Sequence, residues 1–201
     1  MIENEVSERH QQNRAAWNEA AARYEREIEE DVAFLRAGGK NLMAPELDGA
    51  ADLVYTGRGA LCWILDIAAW ARTVARLLKP AGRLYVFEGH PLDWVWDPNA
   101  TNLRPDPEPP FGNYFSDAVA VNQGWPETYI PAEAVPPKEE QARKHERQWT
   151  LGQIMNALVD ADLLLERFEE HPDLFWDSFP LLPKDLTDRL PHTFSLLMRK
   201  P

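Results

Sequence analysis

Leu77-Leu78-Lys79-Pro80-Ala81-Gly82-Arg83-Leu84-Tyr85-Val86-Phe87-Glu88 decides the fold of this 201-residue chain. A helix is expected to close at Lys79–Gly82, where basic charge, proline and glycine all favour termination. Arg83–Glu88 then has the composition of a strand and ends at Gly89-His90-Pro91. Upstream, Trp70, Val74, Leu77 and Leu78 form an apolar stripe that predicts a helix over 65–78. Before that helix, Ala50–Thr56 reads as another strand, closed by Gly57. Downstream, Thr150 caps a helix running to Asp162 with Ile154, Leu158 and Val159 inward. Leu164–His171 and Thr193–Lys200 are the last two strands.

Strands alternating with helices indicate an α/β fold with a mainly parallel sheet. The loop before Thr193 carries little helical signal, so the last strand is expected to run antiparallel. At the other end, Trp17, Ala21, Tyr24 and Ile28 recur at helical spacing, predicting a helix over 7–36 that Gly38-Gly39 stops. The expected organisation is an N-terminal helical segment, 1–40, and an α/β domain, 41–201, with an insertion at 92–140. That insertion holds most of the prolines, yet also Trp94, Trp96, Phe111, Tyr114, Phe115, Trp125 and Tyr129. A plain linker would not carry so many aromatics, which predicts an ordered excursion with a short hairpin around Tyr114. The basic run Arg143-Lys144-His145-Glu146-Arg147 reads as a solvated helix start.

Composition narrows the function classes. A formal net charge of −12 disfavours nucleic-acid backbones as partners. The longest apolar stretch, Ala60–Ala71, is short and interrupted by Asp66, so no membrane span is expected. The acidic start Met1–Glu5 lacks the basic and apolar regions of a signal peptide, and a cytoplasmic protein is the expectation. Cys62 is the single cysteine and the five histidines show no paired ligand spacing, so no metal site is expected.

Asp52–Gly57, Trp70-Ala71-Arg72 and the Leu77–Glu88 stretch resemble the fourth strand, following helix and fifth strand of class I S-adenosylmethionine-dependent methyltransferases. Trp149–Gly152 through Leu163 resembles the helix before the sixth strand, and 169–172 and 192–196 resemble the sixth and seventh strands. Asn13–Trp17 and Tyr24 look like the lid helix of small-molecule members. The resemblance implies a Rossmann-like methyltransferase fold, S-adenosylmethionine as cofactor and a small-molecule substrate. One departure is large. In the family, three strand–helix units, on the order of 60 residues, separate the lid from the fourth strand. Here Asn41–Gly49 fills that interval. The absent part carries the family's glycine-rich turn and its ribose-binding acidic residue. A non-catalytic remnant, or an internally deleted methyltransferase that folds or is stabilised by self-association, is therefore the alternative reading.

A surviving pocket would lie at the carboxyl ends of the strands. By resemblance Trp17, Tyr24, Gly57, Arg58 and Gly59 border the cofactor, although Gly57–Gly59 equally suits a tight strand-to-helix turn. His90, in a strand-end loop, can serve as a general base or as a hydrogen-bonded loop histidine. Trp63, Tyr114, His145, Trp149 and His171 are the candidate substrate contacts. Read as helical, His145 and Trp149 lie one turn apart and would face one pocket; Trp149 would otherwise anchor the core. Loss of three strands would also leave Ala51–Thr56 as an apolar sheet edge, protected either by the N-terminal helix folding over it or by a homodimer joined there, with the dimer favoured.

Overall fold

Asp66 starts the first helix of the α/β layer: its carboxylate accepts the Ala69 N–H at 2.8 Å. In the computed structural model, which describes residues 3–21, 49, 51–125 and 137–201, this helix spans Ile67–Leu77 (α2). It is shorter at both ends than expected, because Leu78 is already extended and opens the long strand β2, Leu78–Gly89. Lys79–Gly82 is thus not a bare turn but the irregular start of that strand. Ala81 takes a left-handed φ of 63° and donates its N–H to the Lys200 carbonyl. The Lys200 ammonium in turn bonds the Ala75 and Leu78 carbonyls at 2.7 and 2.8 Å, filling acceptors that the helix end leaves open.

The main sheet has the order β1-β2-β6-β5, with β1 at Ala51–Gly57, β5 at Leu164–His171 and β6 at Thr193–Arg199. β1 pairs parallel to β2, whereas β6 lies antiparallel to both β2 and β5. Three strands therefore share one direction and the last opposes them, as the sequence predicts. Leu84, Val86, Phe194, Leu196 and Met198 form the buried side of the sheet, under Ile67, Ala71 and Val74 of α2. Ile154, Ala157 and Leu158 of α3 (Leu151–Asp160) complete that core. Thr150 and Gln153 form a reciprocal capping box at the start of α3, the cap read from the sequence. The proline-rich loop before β6 contains a single short helix, α4, Lys184–Thr187.

The chain divides into two units: 1–46 with 121–146, and 47–120 with 147–201. The sheet and its helices belong to the second. The first contains helix α1, Glu3–Ala21; the expected continuation to residue 36 lies outside the described residues. Two expectations for the middle of the chain are corrected. Arg143–Arg147 is a strand, β4, paired with β3 (Val119–Gln123), and no hairpin centres on Tyr114. The Asn13 side chain accepts the His145 N–H at 2.5 Å and donates to its carbonyl at 2.7 Å. That amide acts as a one-residue strand partner, and holding both main-chain groups outward in this way is incompatible with a helix.

Candidate functional site

The carboxyl ends of β1 and β2 meet in a loop that the chain fills with its own groups. A Cβ on Gly57 would come within 2.5 Å of the Phe87 carbonyl oxygen, so only glycine fits against β2 there. Arg58 and Gly59 follow with φ of 59° and 87°, turning three successive N–H groups inward. Glu88 receives all three: Gly59 at 2.6 Å, Ala60 at 2.8 Å and Leu61 at 3.1 Å. Burial pushes the Glu88 carboxyl above its ordinary range and these N–H groups pull it back. A Cβ on Gly59 would touch the Trp176 ring at 3.4 Å. Local geometry alone therefore accounts for both glycines.

Beside this loop, three histidines cross neighbouring strand ends. The His90 N–H bonds the His192 carbonyl, and the His192 N–H bonds the His171 carbonyl. The His90 ring accepts the Leu92 N–H at Nδ1, so its proton sits on Nε2 and is donated to Glu170 at 2.9 Å. Burial lowers its pKa, with Glu170 opposing. The neutral ring has no lone pair left for a substrate; the half-exposed Glu170 carboxylate does.

His192 is arranged differently. Its Nε2 faces the Thr187 carbonyl at 2.9 Å and its Nδ1 faces Asp93 at 2.7 Å. With Asp93 ionised, two acceptors require two donors and His192 is an imidazolium; burial raises the Asp93 carboxyl while His192 pulls it down. Burial lowers the His192 pKa, but Asp93 and Thr187 outweigh that and leave it raised. His171 bonds Ser195 at 2.9 Å and meets the edge of Phe87. Among the described residues, no cluster of His, Cys, Asp or Glu is arranged to hold a metal ion, and no helix is long and apolar enough to cross a membrane.

No protein-family model matches the chain, and no curated protein does. Solved structures do. A putative S-adenosylmethionine-dependent methyltransferase from Listeria monocytogenes superposes with a TM-score of 0.51 at 14% identity, over 77% of this chain and 63% of that one. The fold is that of the S-adenosylmethionine-dependent methyltransferases. A methyltransferase from Mesorhizobium loti covers more, 86% of this chain and 76% of its own, at 22% identity and a TM-score of 0.48. One from Clostridium acetobutylicum gives 15% identity and a TM-score of 0.45, over 86% of this chain and 70% of its own.

Against this methyltransferase fold the expected site residues sort into separate groups. Tyr114 and Trp149 come together: the Tyr114 hydroxyl accepts the Leu151 N–H at 3.2 Å, and Gln148 donates to the Tyr114 carbonyl at 3.1 Å. The Trp149 indole donates to the Ile64 carbonyl at 2.7 Å, directly after Trp63 in the short helical turn Leu61–Trp63. Trp149 is buried in the core cluster, so the anchoring reading holds for its ring. His90 and His171 belong to the strand-end group. His145 sits on β4 in the other unit, bonded by Gln12 and Asn13, so the helical-turn argument linking it to Trp149 fails. Trp17 packs on Trp125 at 4.9 Å in that same unit, and Tyr24 lies outside the described residues.

Among the described residues, the turn Gly57–Gly59 does not fit S-adenosylmethionine as expected. The glycine turn is filled by Trp176 and by the chain's own carbonyl, and its N–H groups are spent on Glu88. Sequence reasoning missed Glu88, Glu170, Asp93 and His192. One signal existed: Glu88 follows Leu84 and Val86 at every second position, which places a carboxylate on the apolar side of its strand.

Proposed function

We propose that this chain is a small-molecule methyltransferase by lineage that retains the acceptor-side half of its domain and holds S-adenosylmethionine more weakly than micromolar. The supporting observation is the sheet order β1-β2-β6-β5 with an antiparallel β6, carrying a polar group at its strand ends. The chain's own residues supply positioning there: Glu170 offers an open carboxylate, oriented by the Nε2–H of His90. Incubation with methyl-labelled S-adenosylmethionine at millimolar concentration and pooled small-molecule acceptors tests it. Label transferred to an acceptor sustains the reading; none, from a chain whose fold is intact by circular dichroism, rejects it.

A second reading, a non-catalytic protein stabilised by self-association, is favoured by one specific observation. β1 is the sheet edge among the described residues, and its Leu53 and Tyr55 are 56% and 55% exposed. Antiparallel pairing of two such edges about Val54 would set Leu53 of one chain beside Tyr55 of the other.

A further inference from the structure

Arg147 ends β4, and among the described residues its guanidinium has no counter-ion. Its Cζ lies 3.9 Å from the ring centroid of Trp149, a stacking arrangement that covers one face of the fork. The Trp149 plane is fixed by core burial and by the bond to Ile64. The Arg147 Nε is buried with no hydrogen-bond partner, and the described residues make no ion pair with this side chain. Among the described residues Asp117 is the one charge that acts on it, without forming an ion pair, while burial disfavours its charged form. Other arginines in this acidic chain find carboxylates: Arg83 and Arg199 share Glu166, Arg104 takes Asp97 and Arg167 takes Glu169. A partly desolvated, unpaired guanidinium costs stability unless an anion completes it.

We propose that Arg147 anchors a carboxylate group of the small-molecule acceptor. A planar carboxylate matches the terminal nitrogens of the fork while Trp149 holds the guanidinium plane. One cation in a chain of net charge −12 suits a monoanion; a phosphate dianion would need a second positive group, and among the described residues none acts on Arg147. The acceptor role rests on the methyltransferase reading, whereas carboxylate binding does not, so the two fail separately.

The test is thermal denaturation of the full chain in sodium benzoate, against sodium chloride at matched ionic strength, neutral benzamide and inorganic phosphate. Benzoate at roughly ten times a millimolar dissociation constant is expected to raise the melting temperature, and benzamide is not. Arg147→Gln should weaken benzoate at least about tenfold, and Arg147→Lys less, because it keeps charge but not the fork. Without ligand, Arg147→Gln should melt no lower than the native chain, since an uncompensated charge is removed. Equal binding by Arg147→Gln, absence of a benzoate effect, a larger effect of phosphate, or a ligand-free loss of stability in Arg147→Gln would each overturn the proposal.

Discussion

On one face of the sheet Leu84, Val86, Phe194, Leu196 and Met198 lie under α2 and α3, each almost wholly buried. On the other face Leu53, Tyr55 and Tyr85 stand open, with the two tyrosine rings stacked 6.1 Å apart. The open side is held by surface groups instead, Glu166 bridging Arg83 and Arg199 at 2.8 and 2.9 Å. Such exposed ion pairs contribute little, so the fold's stability resides on the covered side. The difference follows from which elements pack on the sheet: among the described residues, α2 and α3 cover Leu84 and Val86, while Leu53, Tyr55 and Tyr85 stay exposed.

The largest effect expected from this contrast is a truncation on each face. Phe194→Ala should cost about 3–5 kcal/mol in urea denaturation, and Tyr85→Ala below about 1 kcal/mol. Similar losses at both positions would show that the open face is covered in solution.

A smaller effect sharpens the contrast at the strand ends, where the covered side continues into His90 and His192. His192 has a raised pKa in the folded chain. Its contribution is therefore full below the unfolded value of about 6.5 and lost as pH rises through the folded value. His90 is lowered, so its contribution is present above about 6.5 and lost as pH falls through its folded value. From these two groups the melting temperature should peak near neutrality and decline on both sides. Asp93→Asn should abolish the alkaline decline; an unchanged alkaline limb would remove the His192–Asp93 pair from the explanation.

The smallest effect on stability belongs to the edge. Leu53→Lys combined with Tyr55→Lys should leave the melting temperature nearly unchanged, because both side chains are exposed. In light scattering the native chain is expected at twice its 23.0 kDa mass and the double variant at 23.0 kDa. A native monomer at high concentration would reject pairing through β1. Val54 is unsuitable for this purpose, since it packs against the core.

The covered side was legible because its pattern is local. Thr150 announces a cap, Trp70 and Val74 a helix face, and Arg83–Glu88 a strand. The site was much less so. Glu88 reaches back 28 residues to Ala60, His90 reaches 80 residues to Glu170, and His192 reaches 99 residues to Asp93. Nothing in local spacing encodes such pairings. Arg143–Arg147 misled for the same reason: its charges read as solvated, whereas Lys144 and His145 are buried and Asn13 supplies the strand-like hydrogen bonding of His145 from the other end of the sequence.

Titration calorimetry of the full chain with S-adenosylhomocysteine tests most directly the proposal that this methyltransferase-like fold holds the donor weakly. With the Gly59–Leu61 N–H groups held by Glu88, no saturable heat is expected at micromolar ligand. A micromolar dissociation constant, about −8 kcal/mol, would contradict this and show that the chain builds a cofactor site from residues other than these.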